Sequence, residues 1–221
     1  MQTPPTRSKA PLGHHGLLWT VMALWLFAVL AAVWTGALAH LAEVFMPGYA
    51  VLVALGITLP VIAYMAWKPW RQAVEAMGLH RLTLLHIWRI PAGAVFFYYG
   101  LSGELPTLFW TLAGVGDVLA GLFAASLLWR PQTLANYKRI HIFGLIDFVI
   151  AVGTGLTFTL LEDPRMAVLT TLPMALIPLY GVGLSGASHL VVLSWLRRSS
   201  GTAAISATEG IPAVGTAAQA P

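Results

Sequence analysis

Residues 107–129 read TLFWTLAGVGDVLAGLFAASLLW, an apolar run with one carboxylate, Asp117, near its midpoint. A hydrocarbon core about 30 Å thick is crossed by about 20 helical residues, so this stretch reads as a transmembrane helix. Counted in helical steps from Asp117, one face carries Ala113, Gly114, Ala120, Gly121 and Ala124, and another carries Leu112, Val115, Leu119 and Leu122. The small face suits close contact with neighbouring helices, and the leucine face suits lipid. A carboxylate at that depth costs about 2.5 to 3.5 kcal/mol on insertion scales, so Asp117 must face protein or water and have a partner.

Composition places the whole chain in the same class. It is 58% hydrophobic and 9% charged, with mean hydropathy +0.78, against about 25% charged residues in soluble domains. The absence of cysteine excludes disulfides, thiolate metal sites and cysteine nucleophiles. Despite a pI near 9.7, nucleic acid is not an expected partner, because the basic residues sit at helix ends and form no patch with stacking aromatics.

Outward from the Asp117 helix, the pattern predicts six spans. Residues 1–16 form a polar tail that includes Arg7, Lys9, His14 and His15, and residues 17–196 form the membrane domain. The first span, Leu17–Leu38, has no ionisable residue; Ala37-Leu38-Ala39 resembles a signal-peptide cleavage site, but the apolar run exceeds the usual h-region of about 7–15 residues. A loop at residues 39–48 leads to the second span, Tyr49–Trp67, and residues 70–79 read as a brief surface helix. The third span, residues 83–100, carries His86 and Arg89 one turn apart, just before Pro91. The fifth, residues 140–161, has His141 at its mouth, read as interfacial, and Asp147 about two turns in. The sixth, from about Ala167 to Leu196, contains Pro173, Pro178, Ser185 and His189; residues 197–221 read as a disordered tail.

Orientation follows from positive charge. Arg7, Lys9, Lys68, Arg71, Arg81, Arg130, Lys138, Arg139, Arg197 and Arg198 fall on one side of a six-span chain and Arg165 on the other, which predicts cytoplasmic termini. At 1.5 Å per residue, His86 then lies roughly 5 Å deep, Arg89, Asp147 and His189 roughly 10 Å, and Asp117 nearer the middle. Four helices thus bring costly groups to compatible depths. The predicted site comprises Arg89, Asp117, Asp147 and His189, with His86 at its edge and Ser185 one turn from His189. Arg89 opposes two aspartates, so one labile proton balances the set.

The segments RIPAGAVFFYYGLSGELPTLFWTLAGVGDVLAG (89–121), GLIDFVIAVGTG (144–155) and LPMALIPLYGVGLSGASHL (172–190) together resemble a family of uncharacterised bacterial membrane proteins. Those proteins share an arginine followed by a Gly-x-Leu-Pro loop, two aspartate helices and a final proline-to-histidine helix. The matching positions are Arg89, Gly103 to Pro106, Asp117, Asp147, Pro178 and His189. The resemblance implies a multi-pass protein of the bacterial inner membrane and brings no assigned activity.

The leading functional expectation is proton-linked binding or transport of a small solute, with no cofactor and no metal. One alternative is a redox subunit that binds quinone or haem b, with His86 and His189 as axial ligands. Another is a structural or assembly subunit whose small-residue helix faces meet a second copy or a complex partner. Gly181-x-Gly183-x-x-Gly186 spells a dinucleotide fingerprint but follows no strand, so it reads as helix packing. Phe96 to Tyr99 reads as an aromatic belt at the outer interface. Ile90-Pro91 and Ile177-Pro178 occupy corresponding places in the two halves, a hint of an inverted repeat.

Overall fold

The computed structural model describes residues 13–209; the remaining parts of the two expected tails lie outside the described residues. All regular structure among the described residues is helical: α1 (Gly13–Trp34), α2 (Ala37–Ala66), α3 (Lys68–Leu84), α4 (Arg89–Leu101), α5 (Thr107–Ala125), α6 (Leu134–Leu160) and α7 (Val182–Glu209). Among the described residues, five stretches are long and apolar enough to cross a bilayer, the signature of a multi-pass membrane protein: Gly16–Trp34, Ala37–Ala66, Thr107–Leu128, Leu134–Leu160 and Ile177–Arg198.

The expected third span is not among those five. A 3₁₀ turn at Leu85–Trp88 divides it, so α4 alone is a helix of 13 residues. Pro91 thereby falls in the first turn of α4, where its missing N–H leaves no helical bond unmade. The turn between α1 and α2 comes earlier than expected, at Gly36, whose φ of 74° suits a residue without Cβ. Much of residues 39–48 is therefore helical. The interruption falls instead at Phe45, two residues before Pro47, whose ring clashes with the preceding turn. The sixth segment starts later than expected: a 3₁₀ stretch at Pro164–Thr170 and a wide π turn at Ile177–Gly181 precede α7. Pro173 and Pro178 each remove a backbone donor, which breaks up the predicted continuous helix. Residues 68–84 are more than a surface helix, since Trp70, Ala73 and Val74 are buried.

Two hydrophobic clusters form the core. One contains Tyr49, Ala92, Phe96, Phe109, Ala113 and Leu179; the other contains Tyr64, Leu82, Ala124, Ile140, Val191 and Val192. Along each helix the buried polar residues fall between the two: His86 and Arg89 between Leu82 and Ala92, Asp117 between Ala113 and Ala124, and His189 between Leu179 and Val191. A polar layer is thus sandwiched between two apolar ones.

The faces of α5 divide as the sequence predicts. Ala113, Gly114, Ala120, Gly121 and Ala124 are buried, whereas Leu112, Val115, Leu119 and Leu122 are exposed to the surroundings a bilayer would supply. The small face serves α4 of the same chain. A Cβ on Gly93 would meet the Gly114 carbonyl oxygen at 2.7 Å, and one on Gly121 would meet Ile90 Cγ1 at 2.6 Å. Gly181, Gly183 and Gly186 are packing positions, each receiving an aromatic ring: Trp88, Trp25 and Phe148 respectively. The aromatic run is only partly a belt, because Phe96 is buried edge-to-face on Phe109 while Tyr98 is exposed.

Candidate functional site: a buried arginine, aspartate and histidine layer

Arg89 opens α4 and reaches two helices at once. Its Nε donates to Asp117 Oδ1 on α5 at 2.6 Å, and one terminal nitrogen, Nη2, donates to Asp147 Oδ2 on α6. The arginine side chain is 3% exposed and each aspartate side chain 10%. The other terminal nitrogen, Nη1, is buried without an acceptor. A planar guanidinium with five donors suits this bridging role, which a lysine ammonium would fill poorly. Gly116 makes the contact sterically possible, because a Cβ there would collide with the Asp147 carboxylate, its Cγ only 2.6 Å away.

Next to this triad lies a cluster of three buried histidines. The His86 and His189 rings stack with centroids 4.0 Å apart and planes 13° apart, and His141 meets both edge-on at 5.3 and 5.1 Å. Its tautomers follow from the hydroxyls around it. Thr83 Oγ1 donates to the Leu79 carbonyl at 2.8 Å, so it accepts from His141 Nε2 at 3.0 Å. His141 Nδ1 then carries a lone pair and accepts from His189 Nδ1 at 2.9 Å. Ser188 Oγ donates to the Ser185 carbonyl at 2.9 Å, so it accepts from His86 Nε2 at 2.9 Å. In the neutral cluster the two remaining ring nitrogens, His86 Nδ1 and His189 Nε2, are lone pairs, and both are buried without a donor.

The predicted residues therefore assemble in two adjoining groups. Arg89, Asp117 and Asp147 form one, and His86 and His189 belong to the other. Ser185 does not bond to His189; its Oγ accepts from Trp88 Nε1 at 3.1 Å, and its neighbour Ser188 is the serine on the histidines. His141 is not interfacial but fully buried, because α6 starts at Leu134 and places it two turns inside the helix. Thr83 also belongs to the histidine group, and Gly144, which the sequence places on a small-residue stripe with Asp147, sits against His189, where a Cβ would lie 2.6 Å from Nε2. The spacing of His141, Gly144 and Phe148 on one helical face is the sequence signal for the glycine; Thr83 carries none.

A cavity of about 160 Å³ reaches the triad from one side, lined by Tyr49, Phe109 and Thr159 and by Arg89, Asp117 and Ser185. Stacked face to face, the His86 and His189 rings do not aim their nitrogens at one another across an iron, as axial haem ligands do.

No curated protein and no solved structure matches the chain. The sequence profile of a family described as a domain of unknown function, DUF8737, matches residues 46–197, a stretch that holds every member of the two buried groups. The chain belongs to that family.

Proposed function

We propose that this is a six-span protein of the bacterial inner membrane that binds or moves a small solute at Arg89, Asp117 and Asp147, coupled to a proton. The observation that carries this reading is the unmet Nη1 donor of Arg89, a residue that lines a cavity large enough for a few heavy atoms. A donor buried without a partner is costly, and a solute carboxylate or carbonyl oxygen would satisfy it. Two carboxylates and one guanidinium leave one negative charge in excess. In a low-dielectric layer a proton on Asp117 or Asp147 cancels that charge and loosens one of the two ion pairs. Proton arrival then frees part of the guanidinium for the solute, and proton departure restores both pairs. His86, His141 and His189 are the other ionisable groups beside this exchange.

Six spans are favoured by the packing of α4. Ile90 lies against Gly121, Gly93 against Gly114 and Gly100 against Trp110, so α4 follows nearly the full length of α5 in the opposite direction. With six spans, all the basic residues noted above except Arg165 lie on the cytoplasmic side.

The direct test is flux in proteoliposomes under an imposed pH gradient, read by an internal pH dye. Parent protein should dissipate the gradient when candidate small organic acids are added, and Asp117→Asn should abolish that response while retaining its elution volume. A parent with no solute-dependent proton movement, or an Asp117→Asn variant as active as the parent, would overturn the reading.

A second reading rests on a larger apolar cavity of about 550 Å³ between α1, α2, α3 and α7, which Ser188 lines beside His86. That size suits an isoprenoid quinone with its head group near Ser188. Quinone retained through purification and lost in Ser188→Leu would favour it.

A further inference from the structure

We propose that His86, His141 and His189 form a site for one divalent first-row transition ion of the zinc, cobalt, nickel or copper class. One ring nitrogen of each lies within 4.8 Å of one from each of the others. The hydroxyl network decides which nitrogens carry lone pairs. His86 turns its N–H to Ser188 and His141 turns its N–H to Thr83, which leaves Nδ1 of each ring as the ligand atom. This is the outer-shell arrangement of metal-binding histidines, in which the second ring nitrogen donates to a fixed oxygen. The lone pairs of His86 Nδ1 and His189 Nε2 have no donor, so the one hydrogen bond a cation would displace is that from His189 Nδ1 to His141 Nδ1.

His189 is the moving part. Stacked on His86, its in-plane lone pair runs parallel to that ring and does not converge on a common point. A turn about its Cβ–Cγ bond breaks the stack and also releases His141 Nδ1 from the hydrogen bond it accepts. Gly144 leaves room for that turn, since it has no Cβ beside the Cε1 and Nε2 edge of the ring. Metal–nitrogen bonds of about 2.0–2.1 Å require the three nitrogens to draw together from their present separation. No covalent bond is broken and no electron is transferred: three neutral imidazoles donate lone pairs, and a water or solute oxygen completes the coordination.

Ligand type sets the class of ion. Imidazole donors suit zinc, copper and nickel, while magnesium and calcium require oxygen ligands. This site is separate from the proton and solute reading, and the two fail in different assays.

The experiment uses the full chain, purified in detergent without a histidine tag, stripped with chelator and titrated with Co²⁺ or Zn²⁺ in metal-free buffer. A variant with His14, His15, His40 and His80 all replaced by glutamine leaves the buried three as the only histidines. Expected are one Zn²⁺ per chain by plasma mass spectrometry and visible Co²⁺ bands of a nitrogen-ligated four-coordinate site, in both the parent and this variant. Ser188→Ala or Thr83→Val should weaken binding about 10- to 100-fold. Absence of stoichiometric metal from the four-glutamine variant would overturn the proposal, as would unchanged binding in His86→Gln and His141→Gln. If those two variants fail to fold, the four-glutamine variant decides alone, because it leaves the buried cluster untouched.

Discussion

Among the described residues, Arg89 is the one cation paired with both aspartates, and its replacement tests whether the triad is held by charge. Arg89→Gln leaves two buried carboxylates without a cation. Removal of one partner from a buried pair costs about 3 to 5 kcal/mol, so detergent-solubilised protein should melt well below the parent, with partial recovery as pH falls and the carboxylates protonate. Equal melting across the neutral range would show that the ion pairs are not what holds α4, α5 and α6 together. Arg89, Asp117 and Asp147 are legible in the sequence because a charge inside an apolar run has no cheap explanation. His141 is not, because Lys138 and Arg139 beside it pull the apparent membrane boundary inward while the helix continues past them to Leu134. Ser185 and Ser188 both bond to the 3₁₀ turn, one to Trp88 and the other to His86, and helical spacing alone cannot say which of them meets the histidine. Thr83 is hidden for a related reason: its hydroxyl bonds back to its own turn, so only the fold reveals that the oxygen also accepts from a histidine.

Among the elements, the α4–α5 pair sets the position of the triad. Gly93 has the Gly114 carbonyl and Val118 against its α-carbon, so Gly93→Val must push the two helices apart. Overpacking of this kind costs about 1 to 3 kcal/mol and should appear as a lower melting temperature. Gly153→Val is the control, since nothing lies within 4 Å of a Cβ placed there, and it should melt like the parent. Equal effects from the two substitutions would mean that the close contact of Gly93 with α5 has no packing role. The two faces of α5 were readable because periodicity alone defines them. The element ends were not, and the errors cluster at proline: Pro47, Pro91, Pro173 and Pro178 all stand at or near a break that hydropathy does not register. A window of apolar residues looks the same whether its backbone is one helix or a 3₁₀ turn followed by a shorter one.

For the whole molecule, topology separates six spans from five. The chain has no cysteine, so single cysteines can be introduced and labelled with a membrane-impermeant maleimide on intact cells. If α4 crosses, Ser102→Cys and Glu162→Cys should label from outside and Gln132→Cys only after lysis. If the chain turns back before crossing, Ser102→Cys should be protected and Gln132→Cys labelled. The bundle as a whole encloses a layer of opposed charges between two apolar clusters, and a bilayer protein has a simpler way to fill that space. Replacement of a buried ion set by neutral groups of similar shape is often neutral or stabilising. Its presence at the meeting point of three helices therefore points to use beyond holding the fold. The most direct measurement is made on the combined variant Arg89→Gln, Asp117→Asn, Asp147→Asn, reconstituted beside the parent and assayed for melting temperature and gradient-driven flux. Expected is a variant that folds and melts close to the parent and has lost flux entirely; a variant that retains the parent's flux would contradict a functional role for the buried charges.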